Sequence, residues 1–166
     1  MKADSHTLNT DWAQFRPGAG DGLTLMRAHF TEHTFERHSH DTYSIGVTLS
    51  GVQTFNCRGS RHASQSGDVI LFNPDEPHDG SRGTEEGFGY SMLYVEPLVA
   101  RACFDRSAGT LASGYFKNPL IHDRQAAQLL QQAMAAIAQP QESLRAEELT
   151  SVALIDLFQR HGEIRS

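Results

Sequence analysis

From about Leu23 to Val95 hydrophobic and polar residues alternate in short runs separated by turn-forming residues. A period of two sends successive side chains to opposite faces, so each run predicts a strand. The candidates are LTLMRAHF (23–30), YSIGVTLSG (43–51), VQTFNCRG (52–59), SRHASQ (60–65), DVILFNP (68–74) and GYSMLYVEP (89–97). Gly51, Gly59, Gly67 and the glycine-rich DGSRGTEEGFG (79–89) punctuate them. After Pro97 the period changes. PLVARACFD (97–105) reads as a short helix with proline in its first turn, and SAGTLASGYFKNP (107–119) as a loop. Two longer helices follow. From about His122 to Gln139, residues Ala126, Leu129, Leu130, Ala133, Met134 and Ile137 share a face, and Pro140 ends the run. From Ser143 to His161 the apolar set is Leu144, Leu149, Val152, Leu154, Ile155, Leu157 and Phe158, with Gly162 as the stop. The turn between them is short, which predicts an antiparallel helical hairpin. The expected architecture is a mainly β barrel or sandwich over 23–97 and a helical region over 98–166, in one structural unit. Residues 1–22 are polar and carry proline and glycine, as a flexible arm would.

A chain of 166 residues suits one domain with a sizeable core. Fourteen Lys plus Arg against twenty Asp plus Glu leave a net charge of -6, which disfavours a general nucleic-acid or anionic-membrane surface. Cys57 and Cys103 are the two cysteines and form no CxxC pair. They read as small buried apolar residues of a reduced, cytoplasmic protein, with a disulfide between them left open. No run approaches the ~18 apolar residues of a membrane span, and the first residues lack the apolar core of a leader. A soluble protein without membrane contact is expected. There is no phosphate-binding glycine loop before a helix and no GxSxG nucleophile context.

The chemistry concentrates in RHSHDTYSIG (37–46). Its even set is His38, His40, Thr42, Ser44, Gly46 and Thr48; its odd set is Ser39, Asp41, Tyr43, Ile45, Val47 and Leu49. Past residue 42 the odd face is apolar and the even face small and polar. Such a strand either backs a core with its even face in water, or lines a barrel cavity with that even face while the odd face packs on a second layer. A third histidine, His78, follows in GDVILFNPDEPHDG (67–80), behind a turn of Asn73, Pro74, Asp75 and Pro77.

Together these residues resemble the cupin superfamily. On its first motif fall His38, His40, Ser44 and Gly51, and on its second Gly67, Asn73, Asp75 and His78. Serine stands where the motif has its glutamate, asparagine where it has a proline, and aspartate where it has the turn glycine. The resemblance implies a double-stranded β-helix (jelly-roll) barrel. It also implies His38, His40 and His78 as ligands of a divalent transition metal such as Zn, Ni or Fe. The missing glutamate weakens that metal site, and three neutral imidazoles can still bind such ions.

Over most of its length the chain further resembles the N-terminal sensor domain of arabinose-regulator (AraC) family transcription factors. FERHSHDTYSIGVTLSG, CRGSRHASQSGDVILFNPDEPHDG, GFGYSMLYVEP and the hairpin beginning GYFKNPLIHD carry the resemblance. It implies a homodimerising domain without enzymatic activity that binds a small-molecule effector through some of His38, His40, Ser44, Thr48 and His78. Tyr43, Phe55, Tyr90 and Tyr94 are possible neighbours. DNA contact is expected through a C-terminal helix-turn-helix region that does not occur before Ser166. The alternative is a metal-dependent cupin enzyme, a small oxygenase or isomerase. Glu32, Glu36, Asp41, Glu76 and Asp79 then supply an acid or base, or otherwise form a solvated acidic rim.

Overall fold

The computed structural model describes residues 11–18, 20–106 and 114–163. Nine strands and three helices lie in these segments. The strands are β1 (Trp12–Pro17), β2 (Leu23–Phe30), β3 (Phe35–His38), β4 (Tyr43–Cys57), β5 (Ser60–Gln65), β6 (Val69–Phe72), β7 (His78–Arg82), β8 (Phe88–Val95) and β9 (Leu120–Ile121). The helices are α1 (Pro97–Arg106), α2 (Arg124–Ile137) and α3 (Ser143–His161). One sheet runs β1-β2-β8-β4-β6-β9; a second joins β3, β7, β4 and β5. The ladders are antiparallel throughout. The result is a cupin-type β-helix barrel followed by a helical hairpin.

Strand β4 belongs to both sheets. Its first part pairs with β8 and β6, and from Val52 onward it pairs with β5 and β7. The expectation of two strands divided at Gly51 is therefore corrected to one 15-residue strand. Gly51 is a bend, not a terminus. Its φ of 66° is left-handed, and a Cβ there would lie 3.0 Å from the Gly87 carbonyl carbon and 3.1 Å from Phe88 Cα. The register shifts between Thr48 and Ser50, which adds a bulge to the bend.

Register sorts the side chains into rungs. On one face Leu25, Leu93, Ile45 and Leu71 lie side by side across β2, β8, β4 and β6, and all four are buried. This is the odd face of the alternation, and it packs on a second layer. Leu130, Ala133 and Met134 of α2 and Leu154, Leu157 and Phe158 of α3 belong to the same core cluster, with Ala100 and Cys103 of α1. On the opposite face, inside the barrel, Thr24, Tyr94, Ser44 and Phe72 form one rung, and Met26, Met92, Gly46 and Ile70 the next.

The arm expected over 1–22 is corrected in part. Residues 12–17 are strand β1, paired with β2 from Trp12 opposite His29 to Pro17 opposite Thr24. Every residue of β1 is exposed, so no buried face marked it in the alternation. Residues 1–10 of the expected arm lie outside the described residues. Strand β9, beyond residue 97, also joins the first sheet through β6, so the barrel is not confined to 23–97. Cys57 and Cys103 are both buried, and no disulfide joins them.

The hairpin is held at one end by Asp123. It is the N-cap of α2, accepting from the Ala126 N–H at 3.0 Å, and it also accepts from Arg160 Nη1 and His161 Nε2 of α3, each at 2.6 Å. These donors hold its carboxyl well below the usual carboxylate range against the opposing effect of burial. A depressed folded-state value means the ionised form stabilises the fold above pH of about 4 and that this contribution fades as the pH falls below it. Asp123→Ala is expected to cost about 1–2 kcal/mol at pH 7. The gap from wild type should narrow in acid, as read by urea unfolding at pH 7 and pH 3; a gap independent of pH would contradict the assignment.

Candidate functional site

His38 ends β3 and His78 begins β7, and the register sets them directly opposite each other. His40 follows in the loop to β4, which is tied to the β6–β7 turn by a 2.6 Å bond from Asp75 N–H to the His40 carbonyl. Ring centroids are 4.6 Å apart for His38 and His78, 4.9 Å for His38 and His40, and 5.6 Å for His40 and His78. One nitrogen from each of the three lies within 4.8 Å of the other two. His38 Nδ1 is 2.6 Å from the Glu36 carbonyl and His78 Nδ1 is 2.9 Å from the Glu76 carbonyl. Donating there leaves each Nε2 as a free lone pair, the orientation that metal-bound imidazoles adopt.

Electrostatics favour the neutral, ligating form. Burial pushes the His78 imidazolium down to about 4; the Glu76 carbonyl opposes that shift, and the neighbouring His38 and His40 reinforce it. His40 is lowered by burial first and by His38 second. The ring of Phe72 lies 3.8 Å from that of His78 at 13°, a stacked contact that fixes its plane. Three imidazoles at one end of a cavity, two of them oriented through Nδ1, fit a divalent transition metal.

The three imidazoles open on a cavity of about 440 Å³ inside the barrel. Thr24, Met26, Tyr90, Met92 and Tyr94 line it from β2 and β8, Ser44 and Gln53 from β4, and Phe35 and Phe72 from β3 and β6. Ser44 and Gln53 are almost wholly buried, at 1% and 5% exposure, and Ser44 Oγ and Gln53 Oε1 have no hydrogen-bond partner. A surface cleft of about 510 Å³ over the β6–β7 turn is larger. Its Arg58 and Glu76 are spent on each other at 2.6 Å, and it holds none of the three histidines.

Of the residues expected to contact a ligand, His38, His40, Ser44 and His78 meet around this cavity. Thr48 does not: its hydroxyl is 2.6 Å from Ser64 Oγ, and it sits fully buried away from the lining. Among the possible neighbours, Tyr90 and Tyr94 face the cavity. Tyr43 faces the helices, with its hydroxyl donating to the Gly114 carbonyl, and Phe55 packs on Phe72 and His62. Gln53 is a lining residue the alternation missed. The bulge at 48–50 reverses parity, so that even positions face inward before it and Gln53 faces inward after it.

The motif departures have local reasons. Asp75 takes a left-handed φ of 61°, the conformation a turn glycine supplies, and aspartate tolerates it better than most residues. Asn73 exchanges two side-chain bonds with the Phe116 backbone, accepting from its N–H at 2.8 Å and donating to its carbonyl at 2.9 Å. Proline could do neither. Glu76, expected on a solvated rim, is instead nearly buried in a two-bond pair with Arg58, whose Nη2 also donates to the Phe116 carbonyl and whose Nη1 donates to that of Lys117.

The chain is similar to several known proteins. A regulator from Bacillus subtilis (strain 168), described as an uncharacterized HTH-type transcriptional regulator, is 25% identical over 130 residues. The match takes in 78% of this chain and 47% of the relative, so the chain spans about half the length of the curated relative it matches. Among solved structures, a cupin superfamily protein from Desulfitobacterium hafniense is 9% identical, covering 58% of this chain and 84% of that one, with a TM-score of 0.47. A DMSP lyase from Ruegeria pomeroyi is 18% identical, covering 59% of this chain and 55% of that one, also with a TM-score of 0.47. No helix among the described residues is long and apolar enough to cross a membrane. Residues 22–154 match the family described as the AraC-like ligand binding domain, and by that match over most of its length the chain belongs to this family.

Proposed function

We propose that this chain is the effector-sensing and dimerising part of a transcriptional regulator, with the effector bound in the barrel cavity against His38, His40, Ser44 and His78. The observation that carries the reading is the double duty of β4. Its Ser44 lines the cavity, while the adjacent Tyr43, Ile45 and Val47 pack in the core shared with α2 and α3. A ligand in the cavity is thus one strand's thickness from the hairpin, and differential contact with two arrangements of that hairpin is what a sensor requires.

A two-fold partner is the natural occupant of the outer face of α3. Leu149 and Ile155 pack partly on the core and Leu157 and Phe158 are buried in it, while Leu144 and Val152 stay 78% and 47% exposed. A homodimer suits paired half-sites in DNA, which would be gripped by a helix-turn-helix region C-terminal to this chain. The test is a fusion of residues 1–166 to a DNA-binding domain that occupies paired half-sites only as a dimer. The fusion is expected to occupy the operator, and the double variant Leu144→Asp, Val152→Asp to lose occupancy and sediment as a monomer. Its melting temperature should stay within about 2 °C of wild type, because surface changes seldom exceed ±0.5 kcal/mol. A fusion that binds no better than the DNA-binding domain alone would sink the dimer.

Zn, Ni or Fe would be held by His38, His40 and His78, and would supply a Lewis-acidic point for an oxygen of the bound molecule. The same triad favours a second reading, a metal-dependent cupin enzyme. Against it, the carboxylate of Asp79 is taken up by Asn56, through its backbone N–H at 2.6 Å and its side chain at 3.0 Å. Asp41 is then the acid or base nearest the cavity, and it lies at the exposed mouth.

A further inference from the structure

The cavity says something about the chemistry of its occupant. Among the described residues that line it, none is Lys or Arg, and two carboxylates, Asp41 and Asp79, stand at its edge. A free anion entering here meets no side-chain cation and some like charge. The walls are flat or soft: Phe35, Phe72, Tyr90 and Tyr94 supply rings, and Met26 and Met92 adaptable thioethers. Into this apolar box point two orphaned polar atoms, Ser44 Oγ and Gln53 Oε1, on the parts of β4 that belong to different sheets.

Burying a polar group without a partner is costly, and native interiors rarely tolerate it. Ser44 Oγ and Gln53 Oε1 find no hydrogen-bond partner among the described residues. Their missing partners therefore belong to the ligand. A hydroxyl can both donate and accept, so it satisfies the serine, and it satisfies the glutamine whichever way its amide is turned. At about 440 Å³ the cavity has room for a body of one to two rings. From these observations we infer that the occupant is a flat, hydroxylated aromatic molecule that carries no anionic group, and that Gln53 and Ser44 select it by bonding its hydroxyl groups from the two sheets.

The inference rests on the reading of the cavity as an effector site, and three probes separate the two. They are 2,7-dihydroxynaphthalene, 2-naphthol and 2-naphthoate, titrated calorimetrically in a chelator-containing buffer so that no metal can capture the carboxylate. The diol is expected to bind about tenfold more tightly than 2-naphthol, and 2-naphthoate more weakly than either. In Gln53→Leu, or in Ser44→Ala, the advantage of the diol over 2-naphthol should fall below about twofold while 2-naphthol still binds. Ser44→Ala is the smaller change and decides the matter if Gln53→Leu does not fold. Naphthoate binding as tightly as the diol, or an undiminished diol advantage in both variants, would overturn the hydroxyl assignment and leave the cavity a binding site. No binding by any probe at about 1 mM would overturn the cavity reading together with it.

Discussion

Replacing Gly51 with alanine is expected to destabilise the protein by about 3–5 kcal/mol and to lower its melting temperature by roughly 10 °C. Two effects add. A left-handed φ costs a residue with a Cβ about 1–2 kcal/mol, and the new methyl would press on the backbone of Gly87 and Phe88, which cannot swing aside as a side chain can. Gly87 is itself boxed in: its φ is 78°, and a Cβ there would lie 2.8 Å from Thr31 Cα and 2.9 Å from the Phe30 carbonyl carbon. The bend in β4 thus rests on two glycines back to back. Gly59 offers the control, since it also has a positive φ but open space around it. Gly59→Ala should show the conformational cost alone, about 1–2 kcal/mol. Equal losses at the two positions, measured by thermal and urea denaturation, would mean that close packing at the bend contributes nothing.

His78→Ala is expected to weaken transition-metal binding by at least about 100-fold, since removing even an outer-shell partner of a ligand costs 10–100-fold. Elemental analysis of protein purified without added metal should find about one Zn, Ni or Fe per chain in wild type and little in the variant. Because His78 also stacks on Phe72, the loss must be separated from unfolding. His38→Ala provides that separation, for His38 is only half-buried and opposes His78 across the β3–β7 ladder. Ser44→Glu should act in the opposite direction, returning a carboxylate to the motif position and tightening the site. Wild-type protein that is metal-free, and whose melting temperature is indifferent to both chelator and added Zn, would remove the metal-dependent enzyme from consideration and leave an organic ligand as occupant of the cavity.

Where periodicity was long and strong, the chain was readable. Helix α3 runs from Ser143 to His161 at the expected bounds, and α2 is shorter than expected by two residues at each end. Strands β2, β5, β6 and β8 follow their alternation. Strands β3 and β7 did not announce themselves, because FERH and HDGSR are short and polar, and β3 pairs only with β7 while β7 also pairs with β4, both long-range partners. The gathering of His38, His40, Ser44 and His78 around one cavity is what the resemblance to the cupin motifs implied, since all four fall on that frame. Gln53 and the loss of Thr48 were not legible. Gln53 depends on one inserted residue near Ser50, and alternation carries no memory of parity across a bulge, while Thr48 is taken up by Ser64, which lies 16 residues away. Nor could spacing show that Asn73 is bound to Phe116 and Glu76 to Arg58, since those partners lie 43 and 18 residues away.

The place of β4 in both sheets bears on the order in which the molecule can be made. Each strand that pairs with β4 lies C-terminal to it, and β8, which lies between β4 and β2, is complete only at Val95. As the chain emerges from the ribosome, β2 and the first half of β4 stay without the strand that joins them until Val95 has been translated. The pocket is thus a late product of synthesis, closed by distant segments rather than by neighbours, and such topologies assemble slowly because loop closure precedes the contacts that reward it. Until then, two apolar strands present open edges to whatever else is nascent nearby.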